Sequence, residues 1–213
     1  MRQDKLYDNY ISLGNNCEAG FQIRRVLGYD RSSFFNWNIT PVSALLSLLE
    51  SDFLGILEAN NLRHREHDLF EDRSHNYALH AEFSFPNING DGLFLTKLTS
   101  LREKSEYLVS KFRQLSHYGQ TAFFYRTDEV QNLHQNMLNV ADALTRYVPS
   151  DQFDLIVAVS ANILEGSYNQ GNVYFRPLMR LAPAWEAHDG HVSSWDKIFA
   201  EFPHRGGLRL SGR

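Results

Sequence analysis

Residues 153–160 read Phe-Asp-Leu-Ile-Val-Ala-Val-Ser, a β-prone run that is nearly all apolar. A strand of this kind has no polar face to turn to water. It therefore belongs in the middle of a sheet that is covered on both sides, the usual situation of a central parallel strand. Parallel neighbours cannot be joined by a tight hairpin and need crossover segments, most often helices. The rest of the chain supplies that alternation.

Tyr10-Ile11-Ser12-Leu13-Gly14 is a first β-prone run, stopped by glycine. Asn15 and Asn16 follow as turn and cap residues. Ala19, Phe21, Ile23, Val26 and Leu27 then recur at helical spacing, and Gly28 predicts the end of that helix. Thr40-Pro41 opens a second helix, with Pro41 at its first helical position. Further helices are expected over about 97–117, 129–147 and 192–202, and strands over 121–126 and 173–178. Pro177 puts the last of these near a sheet edge, because proline cannot donate to a ladder. Residues 77–85 read as a strand or half a hairpin, 86–92 as a turn cluster, and the polar, histidine-rich stretch 60–76 as an exposed loop. Strands alternating with helices predict an α/β fold with a mainly parallel sheet of about five strands and helices on both faces. This is a three-layer arrangement of the flavodoxin or SGNH-hydrolase kind. A single domain is expected over residues 1–203, followed by a loose tail over 204–213.

Composition narrows the function classes. The chain has 213 residues and a formal net charge of −4. That balance lacks the basic footprint of a nucleic-acid binder and does not attract anionic membranes. No apolar stretch approaches the roughly 18 residues of a membrane span, and the first residues lack the apolar core of a signal peptide. A cytoplasmic location is the expectation. His64 and His67 are three apart, but no third ligand accompanies them, so neither a metal nor a cofactor is implied.

Cys17 is the only cysteine, which excludes an internal disulfide and every multi-cysteine zinc pattern. It is either a small packing residue or a chemical one. Ligands of open α/β sheets bind at the carboxyl ends of the strands, where the segment 12–17 is expected to lie. At a helix start, unpaired N–H groups and the helix dipole favour a thiolate and lower the pKa of a cysteine. The same amides can hold an oxyanion, with Gly14, Asn15 and Asn16 lining the turn and the two asparagines adding amide donors.

The opening Ser12-Leu13-Gly14-Asn15-Asn16-Cys17-Glu18-Ala19, followed by Ile23-Arg24-Arg25 and then Phe35-Asn36-Trp37, resembles a bacterial family of papain-like cysteine peptidases of unassigned function. Its members share an SLGxxCxxA-like opening and a later Phe-Asp-Trp element. The resemblance implies Cys17 as nucleophile and His80 as its base. The family's histidine is usually followed by Asp, whereas Ala81 and Glu82 follow here. The family's Phe-Asp-Trp reads Phe35-Asn36-Trp37, so Asn36 stands as the group that orients the imidazole, as an amide does in cysteine proteases. On spacing alone His80 reads equally as a satisfied histidine at the core or its rim.

Two further groups are candidates. His188-Asp189-Gly190-His191 precedes the last helix, and its Asp189 and His191 offer a second base with an acidic partner, or simply a surface turn. Arg126, at the end of an aromatic strand, can clamp an anionic substrate or pair with a neighbouring acid. Trp37, Trp185 and Trp195 read as packing residues. The function expected is a cysteine-dependent hydrolase or acyltransferase acting on a small-molecule, peptide or glycan-related substrate. The alternative is an anion- or sugar-nucleotide-binding module associated with polysaccharide biosynthesis.

Overall fold

The computed structural model describes residues 5–66, 68–80 and 92–211. In chain order the elements are β1 (Asn9–Ser12), α1 (Glu18–Leu27), β2 (Asn38–Ile39), α2 (Val42–Glu50), β3 (Leu62–Glu66), β4 (Leu69–Asp72), β5 (Tyr77–His80), α3 (Gly92–Arg113), β6 (Thr121–Thr127), α4 (Leu133–Leu144), β7 (Phe153–Ser160), β8 (Tyr168–Gln170), β9 (Val173–Leu178) and α5 (Val192–Glu201). The fold is α/β. Its five-stranded sheet has the order β1-β6-β7-β9-β8, parallel throughout except for the antiparallel pair β8 and β9.

The apolar run 153–160 is β7, paired on both sides, and its first seven residues are buried. Its lone early carboxylate, Asp154, is satisfied by the Tyr7 hydroxyl and by Lys5 Nζ at 2.8 Å. Alternate side chains along a strand point to opposite faces, and β6 divides the core accordingly. Ala122 and Phe124 pack with Ile23 and Val26 of α1 and Trp195 and Phe199 of α5. Phe123 and Tyr125 join Leu45 of α2, Phe112 of α3 and Val140 of α4. Among the described residues no helix is long and apolar enough to cross a membrane.

Several sequence expectations meet the structure as follows. Residues 62–66 and 69–72 are strands rather than loop, and they belong to a second, antiparallel sheet of order β2-β5-β4-β3. β3 carries Arg63, His64, Arg65 and Glu66 exposed, so it shows no period-two apolar face and is held by its ladder to β4. The expected strand at 77–85 is β5 as far as His80, and residues 81–91 lie outside the described residues. β9 does lie near the sheet edge, as Pro177 predicts: only the three-residue β8 lies outside it, covering Val173–Phe175, and Pro177 lies beyond that cover. Pro41 precedes α2 as its cap residue, with extended backbone, instead of opening the helix.

The tail is docked rather than loose. Tyr7 forms a bridge with His204, Arg205 N–H donates to Tyr7 O at 2.8 Å, and Arg209 N–H donates to Val26 O at 2.8 Å. Ser211 N–H donates to the Asp196 carboxylate at 2.7 Å. Backbone and carboxylate partners fix this segment, and a sequence pattern does not report them.

Candidate functional site

β1 ends at Ser12, and the chain turns through Gly14 and Asn15 before α1 begins. Both turn residues have left-handed backbone, φ 89° and 68°. Glycine adopts this conformation freely, and asparagine tolerates it better than other side chains. A Cβ on Gly14 would lie 2.6 Å from Thr40 Oγ1, so the turn sits tightly against the start of α2. Asn16 Oδ1 accepts from Glu18 N–H at 2.9 Å, and Phe21 N–H bonds to Cys17 O at 3.0 Å. With φ −77° and ψ −6°, Cys17 immediately precedes α1 as its cap residue with backbone already helical, and the Asn16 side chain satisfies the first N–H of the helix. The position expected for Cys17 is therefore present, and the side-chain oxygen of Asn16 is bonded to the backbone.

The expected acidity of the thiol is not. Cys17 is half-buried, and burial pushes its thiol up to about 11. Desolvation disfavours the charged form, and no hydrogen bond joins Sγ to an imidazole among the described residues. The helix start is also anchored by an acid, Glu18, which is fully buried. Its carboxylate accepts from Arg126 Nε at 3.1 Å, Trp195 Nε1 at 2.9 Å and Ala182 N–H at 3.0 Å. Of the two roles expected of Arg126, the structure shows the pairing with an acid and not a free clamp for substrate. Its guanidinium is held by Glu18 and Ala182 O, with Asp128 at 3.6 Å, and is itself buried. Glu18 escaped the sequence reading because an acid in the first turn is ordinary helix-dipole complementarity. The signal was there only as a pair: an acid at a strand-to-helix turn and an arginine at the end of another strand.

His80 ends β5 and is exposed; its Nδ1 lies 3.1 Å from Asp68 Oδ2. The acid that faces His80 is Asp68, reached across the β4–β5 hairpin. Asn36 does not orient this ring. Its Oδ1 accepts from Ser33 Oγ at 2.6 Å and its Nδ2 donates to Arg31 O at 3.1 Å, which fixes the turn preceding β2. The two neighbourhoods are linked through that turn. Asn38 pairs with Leu79, next to His80, and a Cβ on Gly20 of α1 would meet Asn36 O at 3.0 Å. Phe21, one turn beyond Cys17, packs edge-on against Trp37 at 5.0 Å.

The C-terminal candidates approach α1 but not the thiol. A Cβ on Gly190 would lie 2.6 Å from Glu18 Oε1, and His188 packs edge-on against Phe21 at 6.1 Å. His191 Nδ1 is 2.8 Å from Ser194 Oγ at the start of α5, and Asp189 faces His188 at 3.5 Å instead of His191. The expected pairing of Asp189 with His191 does not form. Trp195 packs in the core, as expected. His64 sits on a strand, where three-residue spacing does not put side chains on one face; His67 and the side chain of Trp185 lie outside the described residues. The chain matches no protein-family model, no curated protein and no solved structure.

Proposed function

We propose that the protein is a cysteine-dependent hydrolase or acyltransferase, of the papain-like kind that its opening motif resembles, acting on an amide, peptide or ester. One observation carries the reading: a half-buried thiol stands at the start of a helix that leaves the carboxyl end of a parallel strand. In this reading Sγ attacks the carbonyl carbon and helix-start amides hold the oxyanion. His80, anchored through Nδ1 by Asp68, takes the thiol proton as substrate seats and returns it to the leaving amine or alcohol. Water then releases the acyl group from the thioester. The division of the core between α1 with α5 and α2 with α3 and α4 supports a three-layer sandwich of the flavodoxin or SGNH-hydrolase kind, where the nucleophile also follows the first strand.

Iodoacetamide labelling of Cys17 across pH, read by mass spectrometry, tests the free thiol. Its rate should keep rising well past the ordinary cysteine value of about 8.5, toward a midpoint near 11. An activated ester should leave an acyl group on Cys17, and Cys17→Ala should abolish both adduct and turnover. Turnover that survives Cys17→Ala sinks the hydrolase reading.

A second reading, an anion- or sugar-nucleotide-binding module, is favoured by a different observation. Thr40 Oγ1 and Asn15 Nδ2 are buried beside Gly14 and have no hydrogen-bond partner among the described residues. Buried polar atoms of this kind are costly unless something pairs with them. Thermal stabilisation by a nucleotide sugar that persists in Cys17→Ala would select it.

A further inference from the structure

On the side of α3 facing β1, a cleft of about 250 Å³ is lined by Ile11, Leu108, Phe112 and Leu115 at its apolar floor, with Tyr107 and Tyr118 among its other lining residues. Both tyrosines are substantially exposed, 64% and 51%. Two cations, Arg31 and Lys111, also line it. Lys111 Nζ donates to the carbonyl of Ser32 at 2.9 Å, which brings the ammonium beside the residue that follows Arg31. Arg31 Nη1 donates to the backbone carbonyl of Asp8 at 3.3 Å. The carboxylate of Asp8 is taken elsewhere, by Arg205 Nε at 2.6 Å and Gln120 N–H at 2.9 Å. Among the described residues, then, no carboxylate pairs with either cation.

Two like charges side by side repel, and the ammonium is also partly desolvated. Both effects hold the Lys111 pKa below its usual value, burial being the larger. Structural ion-pair networks ordinarily relieve such a pair with an acid, whereas the hydrogen-bond partners of these two cations among the described residues are the carbonyl oxygens of Asp8 and Ser32. Lys111 further lies over the Tyr107 ring at 5.6 Å, within cation–π range. The volume falls just below the roughly 300–1,000 Å³ typical of drug-sized ligand sites, which suits a single ring with a head group.

We propose that this cleft binds a small phosphate monoester with an aromatic or compact apolar body. The phosphate is held between Arg31 and Lys111, and the body lies on Leu108, Phe112 and Leu115 against the tyrosine rings. A phosphate monoester is close to doubly charged at neutral pH, which neutralises both cations at once. A guanidinium is suited to gripping two of its oxygens. This site is separate from Cys17 and does not depend on the hydrolase reading.

Titration calorimetry of the full chain with phenyl phosphate, benzoate and inorganic phosphate tests it. Phenyl phosphate should bind at one site, at least about tenfold more tightly than either of the others. Arg31→Gln and Lys111→Gln should each weaken it about tenfold or more, since hydrogen bonds to charged groups are worth roughly 1.5–3 kcal/mol. Cys17→Ala should bind it unchanged. No saturable binding of phenyl phosphate overturns the proposal, as does affinity that survives the Arg31→Gln/Lys111→Gln double variant. Equal affinity for benzoate overturns the phosphate assignment, and equal affinity for inorganic phosphate removes the apolar floor from the site. Weakened binding in Cys17→Ala with both cations intact assigns the ligand to the turn before α1 and overturns the cleft.

Discussion

Glu18 governs the site more tightly than any other side chain. It is a buried anion with three donors, one of them the guanidinium of Arg126. Breaking a buried pair from one side leaves an uncompensated charge and costs roughly 3–5 kcal/mol. Glu18→Gln should lower unfolding free energy by about that much in urea titrations. The double variant Glu18→Gln/Arg126→Met should recover a measurable part of the loss, because removing both charges also removes their desolvation cost. The sequence made the location of Cys17 legible, since strand, asparagine turn and helical periodicity are local. It did not reveal the thiol's environment. The burial that raises its pKa depends on packing against distant segments. For the same reason the sequence did not show which partners Asn36 and Arg126 take, Ser33 and Arg31 O for the one and Glu18 and Ala182 O for the other.

At the level of elements, α1 is held at both ends by side-chain and backbone chemistry that can be removed one piece at a time. Asn16→Ala deletes its cap and should cost about 1 kcal/mol. Gly14→Ala should cost more, because it combines a φ of 89° with a Cβ 2.6 Å from Thr40 Oγ1; chemical denaturation of the two variants checks the order. The C-terminal segment should be sensitive to acid. Hydrogen bonding to Arg205 lowers the pKa of Asp8, so its contribution is complete above the ordinary carboxyl pKa of about 4 and is lost as pH falls through the lower, folded value. Burial lowers the pKa of His204, so its contribution is complete above about 6.5 and fades below that. Both shifts have the same sign. Hydrogen exchange at the Arg205 and Arg209 amides, corrected for intrinsic rates, should therefore be less protected at pH 5 than at pH 7. α1 and β7 were readable because a face or a continuous run of apolar residues defines them. β3 was not, because four of its five side chains meet water and only backbone pairing makes it a strand.

Across the whole molecule, the two ends of the described chain meet. Tyr7 bridges His204, and the Tyr10 hydroxyl donates to Phe202 O beneath the aromatic cluster of Phe124 and Phe199. Deleting residues 204–213 removes a β-bridge, the Asp8 partner and the Arg209 contact with α1. It should lower stability by about 2 kcal/mol, in the upper part of the usual range for local changes, with a drop in Tm as the readout. The partners of Glu18 lie 108, 164 and 177 residues further along the chain. A ribosome delivers the segment 1–40 before any of these partners, and domains generally fold as units. The Glu18 carboxylate thus gains its first partner only with Arg126 and its last only with Trp195, so the architecture around Cys17 closes well after its own segment has been made.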